Sequence, residues 1–396
     1  MKKIMIAAAA ASFAMAGSAH AAGHEIKLGV VLGFTGPIES LTPDMGAAAE
    51  LAMKEVSESG ALLDGKVVTP VRGDSTCIDA AAANAAAERL ITAEGVVGIV
   101  GADCSGVTTS ILQNVALTNG VVMVSPSATS PALSTIEDSG LFFRTAPSDA
   151  RQGQIVTDIL GDKGIGEIAI TYTNNDYGKG LADSIESNFK AAGGTVTINT
   201  PHEDGKADYS AEVGALAAAG GEILVVAGYL DQGGKGIIQN AIDTGAFEFF
   251  YLPDGMVGDA LPQAIGADLN GSFGAVPGTD SEGAAIFAEM AGGAGFAAGP
   301  FAAESYDAAA LIMLAMQAAG STDSNEYKEK LLEIANAPGE QIFPGELAKG
   351  LQMIAEGQDV DYVGASAVEL IGPGESAGNY REIKIEAETV TTVGFR

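Results

Sequence analysis

The chain alternates between short apolar runs and amphipathic stretches, and this alternation restricts its fold more than any other feature. Apolar runs of strand length recur over residues 26–125, and apolar residues at helical spacing fill the intervals between them. A second series of the same design occupies residues 168–252. Many of the amphipathic stretches end at glycine, as helices commonly do. Such alternation is typical of parallel sheets with right-handed helical crossovers.

Two series of this kind predict an α/β protein of two doubly wound parallel-sheet lobes joined by hinge crossings. Residues 142–149 connect the series directly, and residues 275–278 provide a second crossing. Several short crossings make a hinge, and a hinge between two lobes closes a cleft on a ligand. We expect lobe 1 to comprise residues 22–146 and 277–357, and lobe 2 to comprise residues 147–276 and 358–396.

The first residues are typical of a secretory signal peptide. Lys2 and Lys3 precede an apolar run at 4–15, and residues 19–21 (Ala-His-Ala) form a cleavage signal. The apolar run is too short to span a bilayer. We therefore expect residues 1–21 to be removed on export, and the mature protein to work in the periplasm without inserting into the membrane.

The charge balance excludes two classes of partner. The chain has 51 acidic residues against 20 Lys and Arg, and its formal net charge is −31. A surface this acidic repels nucleic acid and anionic lipid headgroups. The excess of acidic residues indicates solubility, and we expect no nucleic-acid partner.

The sequence contains two cysteines, Cys77 and Cys104. Each follows a predicted strand of the same parallel sheet, so both lie at its carboxyl edge, where neighbouring strand ends meet the distance that a disulfide needs. An even pair of cysteines in an exported protein favours a disulfide. The alternative is a reactive Cys104 beside Ser105.

The motifs of common catalytic sites are absent or incomplete. A nucleophile elbow needs glycines two residues before and after Ser105, where the chain has Asp103 and Val107. His202 lies in a polar stretch where we expect it to be solvated. The glycine-rich residues 228–236 have one residue too many before the lysine for a phosphate loop. We expect no catalytic residues, no metal site and no cofactor.

Short motifs follow the predicted strands in a fixed order. They are residues 32–37 (Leu-Gly-Phe-Thr-Gly-Pro), Cys77, Cys104-Ser105, residues 125–131 (Ser-Pro-Ser-Ala-Thr-Ser-Pro), residues 175–180 (Asn-Asp-Tyr-Gly-Lys-Gly), Tyr229 and residues 253–255 (Pro-Asp-Gly). Together with the leader and the two series, these motifs make the chain resemble the leucine/isoleucine/valine-binding protein family. That family comprises type I periplasmic solute-binding proteins that serve ABC importers. The resemblance extends from residue 26 to about residue 363.

The resemblance implies a ligand site between the lobes and assigns roles to side chains of the first lobe. It makes Cys104 part of a structural disulfide and places Ser105, Ser127 and Thr129 against the ligand. A helix N-terminus behind Ser105 favours an anion, so the hydroxyls of Ser105 and Thr129 are expected to hold the α-carboxylate. The alternative for these two hydroxyls is local helix capping.

In the second lobe, the resemblance implies that Asp254 pairs with the ligand ammonium and that Tyr177 and Tyr229 cover the ligand. An ammonium in a dry cleft needs a carboxylate partner. The alternative for Asp254 is a turn-forming role in Pro-Asp-Gly. The alternative for both tyrosines is ordinary half-buried packing.

The resemblance makes an amino acid the expected ligand, with a branched-chain amino acid first. Two departures from the family pattern keep an amide or another amine-bearing solute open: residues 38–41 (Ile-Glu-Ser-Leu) lack an aromatic residue, and Asp254 stands where the family often has Glu. The implied partner is an inner-membrane ABC permease, and we expect a monomer. A ligand-sensing receptor role is the alternative to transport.

Overall fold

The computed structural model describes residues 25–396, so the predicted signal peptide, residues 1–21, lies outside the described residues. These residues form two seven-stranded sheets flanked by helices, and a small sheet of two strands. The predicted fold class, two doubly wound lobes, is confirmed. Over residues 25–396, no helix combines the length and the apolar character that crossing a bilayer requires.

The first stretch of chain supplies five parallel strands to the first sheet. In chain order its elements are β1 (Glu25–Leu32), α1 (Thr42–Ser59), β2 (Val67–Asp74), α2 (Ala80–Arg89), β3 (Ile99–Gly101), α3 (Ser105–Ile111), α4 (Leu117–Asn119), β4 (Met123–Ser125) and β5 (Phe142–Pro147). These strands lie in the order β5-β4-β3-β1-β2, so the chain starts one strand in from the edge, adds β2 at that edge and then winds in the other direction. Helices on both faces bury the sheet, and its strands are accordingly near-continuous apolar runs.

The second stretch repeats this design in the second sheet. Its elements are α5 (Asp149–Asp162), β6 (Glu167–Thr173), α6 (Asp176–Ala191), β7 (Thr195–His202), α7 (Ser210–Ala219), β8 (Ile223–Ala227), α8 (Gly233–Thr244), β9 (Phe250–Leu252), α9 (Ala260–Ile265) and β10 (Phe273–Pro277). The strand order β10-β9-β8-β6-β7 is the same winding as in the first sheet. The carboxyl ends of parallel strands, where such folds bind ligands, therefore form one edge of each sheet.

The remaining elements complete both lobes. They are α10 (Glu282–Ala294), α11 (Ala302–Ala319), α12 (Ser324–Tyr327), α13 (Leu331–Ile334), β11 (Glu340–Ile342), α14 (Leu347–Ala355), β12 (Val360–Tyr362), β13 (Leu370–Ile371), β14 (Glu375–Ser376), β15 (Tyr380–Glu386) and β16 (Thr389–Phe395). The long helix α11 is buried along most of its length and packs against α1 in the first lobe. The strands β15 and β16 form an antiparallel edge of the second sheet beside β10.

The chain passes between the two sheets three times, after Pro147, after Pro277 and between Ser376 and Tyr380. The last crossing differs from our expectation, which assigned residues 358–396 to lobe 2. In the structure β13 and β14 join the first sheet next to β5, so the tail stays with that sheet until Ser376. Strands of two residues have no periodicity that the sequence could reveal. The lobe limits otherwise stay a prediction.

His202 is not the solvated side chain that we expected. It is the last residue of β7 and is 1% exposed. Its Nδ1 lies 2.9 Å from the hydroxyl of Thr171, and its ring meets the ring of Tyr209 edge to face. Burial lowers the pKa of His202 to about 4, so the imidazole is neutral and packs as part of the second lobe.

Cys77 and Cys104 form the predicted disulfide, with their Cα atoms 5.1 Å apart. The bond joins the loop after β2 to the residue that precedes α3. Cys104 is therefore not a free nucleophile, and the disulfide anchors the start of the helix on which Ser105 lies.

Replacing both cysteines by alanine should lower the free energy of unfolding by about 3–4 kcal/mol, because the unfolded chain gains the entropy of an open loop. The two cysteines are 27 residues apart. Urea denaturation of the parent and of the Cys77→Ala/Cys104→Ala variant measures the difference. Thiol titration of the denatured, exported parent should find no free thiol, and two titratable thiols would contradict the disulfide.

Candidate functional site

A narrow cavity lies between the lobes, where the loops after strands of both sheets meet. Its volume is about 20 Å³, which is room for about one water molecule. The cavity is lined by Ile38, Leu41, Asp103, Cys104, Ser105, Ser127, Tyr177, Tyr229, Asp254, Gly255 and Phe301. Five of the six predicted ligand-binding residues therefore surround one small space, and Thr129 lies beside it in the same loop as Ser127. Their roles toward a ligand stay predictions.

The first lobe contributes a wall of hydroxyl groups. Ser105 is the first residue of α3, and its hydroxyl accepts a hydrogen bond of 3.0 Å from the backbone N–H of Ser130. The hydroxyl of Ser127 donates to the backbone carbonyl of Asp103 at 3.0 Å. Thr129 is 1% exposed, and its hydroxyl has no hydrogen-bond partner among residues 25–396. A buried hydroxyl without a partner costs free energy that a bound polar group recovers.

Asp103 holds this wall in place. Its carboxylate accepts hydrogen bonds from the backbone N–H of Gly33 at 2.6 Å and from the hydroxyl of Ser75 at 2.8 Å. These contacts tie the loops after β1 and β2 to the loop after β3. Asp103 is 1% exposed, and burial raises the pKa of its carboxyl group, while these hydrogen bonds oppose the rise. The side chain acts as a support for the cavity.

The second lobe contributes two stacked tyrosines and an acid. The rings of Tyr177 and Tyr229 lie 5.1 Å apart and nearly parallel. The hydroxyl of Tyr177 donates to a carboxylate oxygen of Asp254 at 2.7 Å, and the backbone N–H of Gly255 donates to the same oxygen at 2.8 Å. Burial raises the pKa of both tyrosines well above their ordinary value, so both hydroxyls stay protonated.

Asp149 is a second buried acid that the sequence analysis did not single out. It is the first residue of α5 and has no exposed surface. Neither of its carboxylate oxygens has a hydrogen-bond partner in the described chain. Burial, and then the charge of Asp254, raise the pKa of Asp149 well above its ordinary value, while the charge of Arg144 offsets part of the rise. In the sequence, residues 142–149 are typical of an interlobe crossing, and this pattern does not predict a buried acid.

The two acids lack a cationic partner within the structure. Arg144 is the nearby cation, but its guanidinium pairs with Glu375 at 2.5 Å and donates to the backbone carbonyls of Ala128 and Ser130. Among residues 25–396, neither Asp149 nor Asp254 forms a salt bridge. Two carboxyl groups this deeply buried are stabilised by a cationic group placed between them.

Contacts between the lobes close the cavity toward solvent. The carboxylate of Asp231 in the second lobe accepts a hydrogen bond of 2.9 Å from the backbone N–H of Ser40 in the first. The backbone N–H of Asp231 donates to the carbonyl of Pro37 at 3.0 Å. The side chain of Leu41 packs closely on Gly258. A Cβ atom added to Gly258 would lie 2.9 Å from the side chain of Leu41. We call the two hydrogen bonds of Asp231 the interlobe clasp.

Comparisons with known proteins agree with this architecture. The sequence profile of the family described as periplasmic binding protein matches residues 25–348. The chain is 29% identical over 332 residues to the Leu/Ile/Val-binding protein homolog 1 of Brucella melitensis biotype 1, covering 82% of this chain and 86% of that relative.

Two solved structures have a similar fold. The leucine-binding protein LivK from Thermotoga maritima gives a TM-score of 0.79 at 20% identity, covering 93% of this chain and 98% of that one. The branched-chain amino acid transporter substrate-binding protein LivJ from Streptococcus pneumoniae, solved in complex with isoleucine, gives a TM-score of 0.77 at 21% identity. The match covers 93% of this chain and 99% of the LivJ chain. At these identities the likeness concerns the fold.

Asp149→Asn should raise the free energy of unfolding of the protein without added ligand at about pH 8 by about 1–2 kcal/mol, a usual size for a single-residue effect. A carboxyl group whose folded pKa is raised loses stability as the pH rises through that pKa, and asparagine removes this loss. At about pH 4 the gain should be small, because the carboxyl group of the unfolded chain, with a pKa of about 3.9, is then already about half protonated.

Urea denaturation at both pH values measures the effect, with the exposed Asp268→Asn as the matched control. Equal stability changes for Asp149→Asn at the two pH values would show that the buried charge is not the cause.

Proposed function

We propose that this chain, which belongs to the periplasmic binding protein family, captures a free amino acid between its lobes and delivers it to an ABC importer in the inner membrane. Its part is binding and delivery, and it is not an enzyme. The observation that carries the choice of ligand is the buried acid Asp254, which lines one cavity together with the hydroxyl groups of Ser105 and Ser127. A second buried acid, Asp149, lies close enough for the charge of Asp254 to raise its pKa.

The two walls are complementary to the two charges of an amino acid. Ser105, at the start of α3, and the unpartnered hydroxyl of Thr129 would receive the α-carboxylate, where the positive end of the helix dipole also favours an anion. Asp254 and Asp149 would receive the ammonium, whose charge favours their ionised forms. Ser127 lies beside the carboxylate position.

The tyrosines and an apolar rim indicate the kind of side chain that fits. Tyr177 and Tyr229 would cover the ligand from the second lobe. Ile38, Leu41 and Phe301 line the cavity and offer carbon atoms alone to a side chain. This lining supports a branched-chain amino acid, in agreement with the name of the Brucella relative. An amide or another amine-bearing solute is the competing outcome.

We propose that the protein works in the periplasm as a monomer after removal of residues 1–21. The predicted leader and the family membership of the chain support this location. The three crossings between the sheets support a hinge motion, because the cavity as it stands admits about one water molecule and a ligand enters only when the lobes separate.

A thermal-shift screen of the mature protein against leucine, isoleucine, valine, other amino acids and amides identifies the ligand. A ligand at about 100 times its Kd should add about 2.7 kcal/mol of stability. Asp254→Asn should then weaken binding of that ligand about 30-fold or more, because loss of one partner of a buried charge pair costs about 2–5 kcal/mol. Ser105→Ala should cost less, about 1–3 kcal/mol, because the backbone N–H groups remain.

Calorimetry measures both variants against the parent, with Asp268→Asn as the matched control that should bind normally. If Asp254→Asn binds as tightly as the parent, Asp254 is a turn residue and the ammonium pairing is wrong. If no amine-bearing solute shifts the melting transition, the proposed ligand class is wrong.

The same ligand should close the lobes about the three crossings and reduce the radius of gyration in small-angle X-ray scattering. Asp254→Asn at the same ligand concentration, well below the weakened Kd, should keep the larger radius. An unchanged scattering profile of the parent at saturating ligand would contradict a hinge mechanism.

A further inference from the structure

A second and much larger cavity lies behind Phe301. Its volume is about 460 Å³, within the range of small-molecule binding sites. It lies between α10 and α11 of the first lobe and β10, β15 and β16 at the edge of the second sheet. Phe301 lines both this cavity and the narrow interlobe cavity, so the two cavities meet at this residue. We call the larger space the hinge chamber, because Pro277 and Gly278 of the second crossing line it.

One polar group of the hinge chamber is the carboxyl group of Glu304. Glu304 lies in the first turn of α11 and is 3% exposed. Its backbone carbonyl accepts a hydrogen bond from Thr145, and its carboxyl group has its own backbone N–H as a hydrogen-bond partner. Within residues 25–396 the carboxyl group forms no salt bridge. Burial raises the pKa of Glu304 to about 8; the charge of Asp307 adds to this and that of Arg381 opposes it. Near neutral pH the group is therefore a hydrogen-bond donor.

The second charged side chain of the hinge chamber belongs to Arg381, whose guanidinium group is its polar end. The side chain of Arg381 lies against Gly278. A Cβ atom added to Gly278 would lie 3.2 Å from the Cβ and 3.7 Å from the Nε of Arg381. Within residues 25–396 no carboxylate lies within salt-bridge distance of this guanidinium; Glu304 and Asp259 act on it only from further away. Burial lowers the pKa of Arg381. Arg381 is half-buried, and a guanidinium that is partly withdrawn from water without a close anion is stabilised by a bound anion.

We propose that the hinge chamber is a second binding site, which takes a small carboxylic acid with an apolar body. The guanidinium of Arg381 receives the carboxylate, and the protonated carboxyl group of Glu304 donates a hydrogen bond to it. Phe287, which is buried, and Phe301 contact the apolar body. None of the residues that hold the carboxylate lines the interlobe cavity, so the carboxylate position is separate from the proposed amino-acid site, although both cavities share Phe301.

The surroundings favour an organic monoanion over an inorganic anion. One guanidinium matches one carboxylate, and it supplies two parallel N–H donors in the required plane. Apart from Glu304 and Arg381, the lining consists mainly of alanine, glycine and phenylalanine, with a few hydroxyl groups such as Thr279 and Thr392. Such walls stabilise a carbon skeleton and offer little to the remaining oxygens of a phosphate or sulfate.

The test follows binding of 4-fluorophenylacetate to the mature protein by ¹⁹F NMR. The parent should bind the probe saturably, and Arg381→Met should weaken binding about tenfold or more through loss of the charged donor. Arg381→Lys, which keeps the charge and loses the paired donors, should lie between the two. Ser105→Ala should leave the affinity for the probe unchanged.

The pH dependence gives a second readout. Probe affinity should fall as the pH rises from about 6.5 to about 9.5, because Glu304 loses its proton through this range and then repels the carboxylate. Glu304→Gln keeps a donor without a charge, so it should bind at neutral pH and show a flat profile. The other charged groups that act on Glu304 are Asp307 and Arg381. Glu304→Gln leaves both of them in place, and Arg381→Met changes only Arg381.

The proposal is overturned if the parent shows no saturable binding, or if Arg381→Met binds as well as the parent. It is also overturned if Ser105→Ala abolishes binding, since the probe then occupies the interlobe cavity. Arg381→Met should bind the amino acid found in the thermal-shift screen normally, so failure of the chamber and failure of the proposed function are distinguishable. Circular dichroism of each variant shows that it is folded.

Discussion

The proposed binding site depends on two buried carboxyl groups, Asp149 and Asp254, that form no salt bridge with residues 25–396. Both acids have at most 1% exposure, and the nearby cation, Arg144, is engaged by Glu375 and by two backbone carbonyls. This arrangement lowers the stability of the folded protein, and the large cores and the disulfide offset the loss. Binding sites commonly hold such locally unfavourable groups, because a ligand of the opposite charge recovers the cost.

Much of the site could be predicted because parallel strands end at one edge of a sheet. Ser105 follows β3, and Asp254 follows β9, so strand-to-helix alternation alone places each at a carboxyl edge, and the two edges face each other. Asp149 could not be predicted in this way, since it begins a helix just after a crossing. The burial of His202 could not be predicted from the sequence either, because its polar neighbours in the chain resemble those of a loop.

Phe301 illustrates a position whose role depends on distant packing. The residue has a φ of 61°, which non-glycine residues seldom adopt, and it stands immediately before α11. The residue lines both the interlobe cavity and the hinge chamber. Neighbouring residues such as Pro300 do not predict this position, because the other lining residues come from segments far away in the chain.

The interlobe clasp joins Asp231 to the backbone N–H of Ser40 and the carbonyl of Pro37, so it contacts protein atoms alone. In the proposed closure of the lobes, its contribution is therefore the same for every solute that the cleft encloses. A change in the clasp multiplies all affinities by one common factor, because it alters the population of the closed form and leaves the contacts with each solute intact. The strength of capture and the ranking of solutes are thereby separate properties, adjustable at different residues. A substitution in the clasp can therefore raise the affinity for every solute without changing which solute is preferred.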